Sequence, residues 1–234
     1  MTDDAIVVLG LGGSPRAGST TERALRVCLE AAEQRGAVTR MIAGEKLNLP
    51  LYDPNVALRS DRARYLVRQI AQADGIILAT PAYHGTISGL VKNALDYVED
   101  LRGADRPYFT DRAVGCLSVG QGWQGPASAL AALRDTAHAL RGWPTPLGVT
   151  INTEAGVFEA DGTFADTSLH NQLRVLGTQV VEFAQMNHAL RFAQMTRALR
   201  QSAQRERIGT PDSDVRTRLS AGADVQWSAM AAGR

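Results

Sequence analysis

Short apolar runs alternate with amphipathic helical segments along most of this chain, and that alternation leaves few folds open. Residues 5–11, 38–43, 75–79, 113–119 and 147–151 read as strands, short stretches rich in apolar residues and bounded by turn formers. Between them, residues 19–34, 61–73, 88–101 and 126–140 carry apolar positions at helical spacing. In the first of these helices Ala24, Leu25, Val27, Cys28, Leu29, Ala31 and Ala32 recur at that spacing, and Gly36 supplies a stop. A repeated strand, helix, strand order calls for a parallel sheet joined by right-handed crossovers. The expected class is α/β, a doubly wound five-stranded parallel sheet with helices on both faces.

Residues 152–167 break the pattern with Gly156, Asp161 and Gly162 between short apolar patches, as a small hairpin would. Asp166 or Thr167 then caps a long final helix expected to run to about Leu199. The expected partition is one domain over residues 1–200 and a C-terminal extension over 201–234, mobile or ordered by a partner subunit. Trp227 is the one aromatic residue in the Ser, Asp, Gly and Ala rich stretch beyond Gly209.

Composition narrows the partners. With 234 residues, 44% of them hydrophobic, the chain can bury a sizeable core. A formal charge of +1 leaves no net basic field, so no nucleic-acid partner is expected. No apolar run reaches the roughly 18 residues of a membrane helix, so no membrane partner is expected either. Cys28 and Cys116 sit in apolar surroundings and read as buried thiols. The opening Met1-Thr2-Asp3-Asp4 carries no basic region or long apolar stretch, and a cytoplasmic location is expected. His138, His170 and His188 lack metal-ligand spacing and no metal site is expected; no Gly-x-Ser-x-Gly elbow is present.

Three glycine-bearing loops follow strands, which places them at strand carboxyl ends, where doubly wound sheets bind ligands. The first, Gly10-Leu11-Gly12-Gly13-Ser14-Pro15-Arg16-Ala17-Gly18-Ser19-Thr20-Thr21, opens a helix, and its hydroxyls with Arg16 suit one phosphate. It lacks a Gly-Lys-Ser/Thr ending, and Pro15 stands where Gly-x-Gly-x-x-Gly needs its last glycine. Ser19 doubles as a helix cap. In the second, Thr80-Pro81-Ala82-Tyr83-His84-Gly85, Pro81 stiffens the strand exit and Ala82, Tyr83, His84 and Gly85 offer backbone amides to the edge of a heterocycle. Lys92 and Asp96 on the following helix are spaced for an ion pair. The third, Ser118-Val119-Gly120-Gln121-Gly122-Trp123-Gln124-Gly125, allows close backbone approach to a planar ring at Gly120 and Gly122. The proline-rich segment Leu47-Asn48-Leu49-Pro50-Leu51-Tyr52-Asp53-Pro54 is a loop placed to border the same crevice.

At these residues the chain resembles the NADPH-dependent FMN reductase family of the flavodoxin-like fold. That family pairs Gly-Ser-x-Arg-x-x-Ser-x-Thr with Pro-x-Tyr-x-Gly-x-x-Ser-Gly-x-x-Lys-Asn-x-Leu-Asp; here they run from Gly13 to Thr21 and from Pro81 to Asp96. The resemblance implies strand order 2-1-3-4-5. It implies that Ser14, Arg16, Ser19, Thr20 and Thr21 hold the FMN phosphate, that Pro81, Ala82, Tyr83, His84 and Gly85 line the ring and ribityl chain, and that Ser118, Gly120 and Gly122 border the ring. NADPH or NADH would be the hydride donor, with flavin-centred chemistry and no catalytic side chain. It further implies a homodimer or homotetramer, with the helix of residues 92–101 at a subunit contact. Reduced FMN supplied to a flavin-dependent monooxygenase is the first functional expectation. The alternatives are an FMN-bound reductase of quinones, azo dyes or metal oxyanions, and a flavodoxin-like electron carrier.

Overall fold

A computed structural model describes residues 5–154, 156–159 and 163–209. The chain divides into two compact units, Met1–His188 and Ala189–Arg234. Five parallel strands form the first unit's sheet: β1 (Val7–Gly12), β2 (Val38–Ala43), β3 (Gly75–Tyr83), β5 (Ala113–Gly120) and β6 (Trp143–Asn152). Their order is β2-β1-β3-β5-β6, the expected 2-1-3-4-5 when parallel strands alone are counted. A sixth strand, β4 (Thr86–Ile87), pairs antiparallel with the end of β3.

Burial explains why the three middle strands read as unbroken apolar runs. In β1, β3 and β5 nearly every residue is buried, as covering both faces of a parallel sheet requires. Successive side chains enter opposite layers. Leu9, Leu11, Ile76, Leu78, Val114 and Cys116 meet α2 (Asp61–Gln72), α3 (Gly89–Asp96) and α4 (Gln124–Ala139). Val8, Ile77, Ala79, Leu117 and Val119 meet α1 (Thr20–Gln34) and the first part of α5 (Thr167–Gly209), through Leu176, Val180 and Val181.

The strands exceed their sequence-expected ends where prolines obscured them. β3 continues through Pro81 to Tyr83, because its last two residues pair with β4. β6 begins at Trp143 and includes Pro144 and Pro146; an edge strand tolerates the missing N–H groups on its unpaired side. α4 starts at Gln124, so Pro126 falls third in the helix, where no intrahelical N–H bond is lost. The expected helix over 88–101 is α3 followed by a 3₁₀ turn, Tyr97–Leu101.

Phe158 and Phe164 form an antiparallel bridge with ring centroids 4.7 Å apart, where a hairpin was expected; Asp161 and Gly162 lie outside the described residues. Asp166 accepts from the Ser168 N–H at 2.7 Å as α5 begins. α5 runs to Gly209, ten residues past the expected Leu199, and in the second unit Leu190, Phe192, Met195 and Leu199 are exposed. The expected mobile tail beyond Gly209, with Trp227, lies outside the described residues.

Both thiols are fully buried. Desolvation raises each: Cys28 well beyond the ordinary thiol range, and Cys116 to about 12, with the Arg134 charge opposing. Native protein at pH 8 should therefore resist alkylation at both positions, and both should react on unfolding. Mass spectrometry after an iodoacetamide pulse checks this; rapid labelling of either thiol in folded protein contradicts it. Each thiol also makes folding pH-dependent. Stability is fully present below about pH 8.5, the unfolded thiol value, and declines as pH rises toward the folded value.

Candidate functional site

The carboxyl ends of β1, β3 and β5 lie side by side, and the three glycine-bearing loops leave the sheet there. The Gly13 N–H donates to the Ala79 carbonyl at 3.0 Å, tying the first loop to β3. Gly12, at φ +145°, passes so close that an added Cβ would lie 1.9 Å from the same oxygen. Ser14 and Ser19 are buried, Thr21 nearly completely, while Arg16 is exposed.

Ser19 caps α1 by accepting from the Glu22 N–H at 3.3 Å, and the Glu22 carboxylate reaches back to the Gly18 N–H at 3.1 Å. This reciprocal arrangement fixes the loop before any ligand arrives. Its signal, Ser19-x-x-Glu22, was legible in the sequence although only the serine had been singled out.

The second loop is a two-residue hairpin. Ala82 pairs with Ile87 and Tyr83 with Thr86, leaving His84 and Gly85 as central residues, both at positive φ, +50° and +82°. That is the backbone of a primed turn, whose twist matches the strands. Thr80 locks its return: its hydroxyl accepts from the Ser88 N–H at 3.0 Å and donates to the Pro81 carbonyl at 2.9 Å. Ser88 in turn caps α3 by accepting from Val91 N–H at 3.2 Å. Tyr83 and His84 project exposed at the rim, and Pro81 lies buried beneath them.

The third loop meets the second through atoms of minimal size. An added Cβ on Gly120 would lie 3.2 Å from the Ala82 Cβ and 3.1 Å from Pro126 Cγ. Ser118 does not share the rim: it is fully buried, and its hydroxyl donates to the Pro126 carbonyl inside α4. Gly122, at φ +73°, donates to the Asn152 side-chain oxygen at 2.9 Å, and the Thr153 N–H donates to the Gly120 carbonyl at 2.9 Å. Asn152 and Thr153 thus set the loop from the end of β6, a long-range role with no local sequence signal. Trp123 is 64% exposed.

The segment Leu49 to Tyr52 is held by α3 and the 3₁₀ turn that follows it. The Asn93 amide accepts from the Tyr52 N–H at 2.8 Å and donates to the Pro50 carbonyl at 3.0 Å, which also accepts from the Tyr97 hydroxyl at 3.0 Å. Beyond it, Arg59 makes a two-pronged pair with Asp100 at 2.8 and 2.9 Å. The Lys92 and Asp96 pair closes at 2.6 Å as its spacing suggested. Among the described residues no cluster of His, Cys, Asp or Glu could hold a metal ion, and no helix is long and apolar enough to cross a membrane.

The donor set fits a flavin mononucleotide. Hydroxyls and an exposed guanidinium gather at a helix N-terminus for a phosphate, and the second and third loops bring glycine main chain at Gly85, Gly120 and Gly122 for a flat ring. The fold and crevice together define a flavodoxin-like domain. The flavoenzyme NAD(P)H:(acceptor) oxidoreductase FerB from Paracoccus denitrificans shares this fold, with a TM-score of 0.59 and 21% identity over 78% of this chain and 99% of that one. The family model described as NADPH-dependent FMN reductase matches residues 6–156, and the chain belongs to that family. An NAD(P)H-dependent FMN reductase of Pseudomonas aeruginosa is 32% identical over 169 residues, 71% of this chain and 88% of that protein. An FMN-dependent NADPH-azoreductase of Staphylococcus aureus is 27% identical over 132 residues, 56% of this chain and 66% of that protein. Family membership makes this chain an oxidoreductase that works with FMN and a nicotinamide donor.

Proposed function

We propose that the chain is an NAD(P)H-dependent FMN reductase, cytoplasmic and homo-oligomeric, that delivers reduced flavin to an acceptor such as a flavin-dependent monooxygenase. The observation that carries this reading is a family match spanning all three loops, over residues 6–156. Bound FMN supplies the hydride acceptor and electron donor. The protein's own part is to bind, orient and shield. Ser14, Arg16, Ser19, Thr20 and Thr21 hold the phosphate; Pro81, Ala82, Tyr83, His84 and Gly85 line the ring and ribityl chain. Gly120 and Gly122 leave space at the ring edge, while Ser118 acts from beneath by anchoring α4. Backbone N–H groups from Tyr83 to Gly85 stabilise negative charge on the ring. We assign residues 201–234 to an extension that contacts a neighbouring subunit. The azoreductase relative favours a second reading, in which FMN stays bound and an external dye or quinone is reduced.

Titrating flavin-stripped protein with FMN, with riboflavin as control, tests the reading and separates the two. Saturable binding that prefers FMN, followed by NAD(P)H oxidation with exchangeable flavin, supports the reductase; flavin retained through purification supports the second reading. Binding of neither flavin refutes both. Arg16→Ala should weaken FMN binding by about 1.5–3 kcal/mol through a lost charge-assisted contact and leave riboflavin nearly unaffected. Equal losses for both ligands would take Arg16 out of the phosphate site.

A further inference from the structure

A groove of about 540 Å³ opens between the 3₁₀ turn Gly44–Leu47 and the first half of α2. Its walls concentrate positive charge in a chain whose net charge is only +1: Lys46, Arg62, Arg64 and Arg68 face just two carboxylates. Those carboxylates are engaged. Glu45 pairs with Arg62 at 3.2 Å and Asp61 pairs with Arg64, which hold the two arginines in place. Lys46 and Arg68 have no carboxylate partner among the described residues, and both are exposed. Tyr65 stands between these groups, 45% exposed, with the Arg68 guanidinium 5.9 Å from its ring centroid.

Two cations that no carboxylate holds, beside a half-exposed aromatic ring, make a receptor for a phosphomonoester carried by an aromatic base. The cations supply charge-assisted hydrogen bonds and the ring supplies a stacking surface. The groove lies on the same edge of the sheet as the crevice. Gly44 follows directly on β2, whose last residue, Ala43, pairs with Gly12, and an added Cβ on Gly44 would lie 3.6 Å from the Ser14 carbonyl oxygen. The first loop is assigned to the FMN phosphate, which leaves this groove for a phosphate of the nicotinamide donor.

Resting on the reductase reading above, we propose that this groove binds the 2′-phosphoadenosine arm of NADPH and selects it over NADH, which lacks that phosphate. Lys46 and Arg68 contact the phosphate and Tyr65 stacks on the adenine. Arg62 and Arg64, held by Glu45 and Asp61, shape the rim.

Calorimetric titration of flavin-free protein with adenosine 2′,5′-bisphosphate and with adenosine 5′-phosphate tests this without turnover. Wild type should prefer the bisphosphate by about tenfold or more, and a Lys46→Ala/Arg68→Ala double variant should lose that preference. In steady-state assays the same variant should show an NADPH to NADH preference, as a ratio of kcat/KM, about tenfold lower. Equal binding of both nucleotides by wild type, or an unchanged bisphosphate affinity in the variant, overturns the assignment. Failure of wild type to oxidise either donor would refute the reductase reading instead, while the calorimetric comparison would still decide the groove.

Discussion

Gly12→Ala should cost on the order of 4 kcal/mol of folding stability, among the largest losses available from one added methyl group. Two independent penalties coincide there. The backbone φ of +145° is one that a side-chain-bearing residue rarely adopts, and the new Cβ would sit 1.9 Å from the Ala79 carbonyl oxygen. That oxygen cannot move away cheaply, because it accepts the Gly13 N–H at 3.0 Å and belongs to a strand paired on both sides. Relief would require separating β1 from β3 where the first loop leaves the sheet. Urea denaturation of Gly12→Ala beside Gly89→Ala isolates the effect, since a Cβ at Gly89 meets nothing within 4 Å and its φ is unexceptional. A Gly12→Ala protein as stable as Gly89→Ala would show that the two strands are not held as closely as described.

Arg112→Met should cost about 3–5 kcal/mol with little effect on flavin affinity per folded molecule. Arg112 is 1% exposed, just ahead of β5 and at the opposite end of the sheet from the crevice. Its guanidinium donates to the Ala71 carbonyl at 2.8 Å, Tyr108 at 3.0 Å, Ala73 at 3.1 Å and Thr110 at 3.2 Å. One side chain thus serves the last carbonyls of α2 and those of the turn leading into β5. Methionine restores the volume but leaves several buried acceptors without a donor, and that desolvation is the main cost. Arg112→Lys should recover only part of the loss, because an ammonium cannot reach carbonyls arranged around a planar fork. Equal stability of Arg112→Met and wild type would remove the buried fork from the account of how α2 is joined to β5.

Much of this architecture was legible because a parallel sheet writes itself plainly in sequence. β3 and β5 are covered on both faces, so their apolar runs needed no tertiary knowledge to find. The two serines of the first loop and the Pro81 to Gly85 turn stood out for a similar reason, since glycine and proline fix backbone shape locally. The hidden parts depended on distant partners. Pro144 and Pro146 belong to a strand only because β6 is an edge. Asn93 reads as an ordinary helix residue until the segment from Leu49 to Tyr52 arrives beside it. Asn152 organises a loop 30 residues earlier in the chain, and Ser118 reads as a rim residue although its hydroxyl donates to a carbonyl within α4.

The crevice separates what must stay fixed from what is free to vary. Its frame is made by main-chain bonds such as Gly13 to Ala79 and Thr153 to Gly120, while Tyr83 and Trp123 stand outward at its mouth. Substitutions at those outward positions disturb almost no packing. A lineage could therefore trade one electron acceptor for another by drift at a handful of codons, with the scaffold's thermodynamic reserve intact throughout.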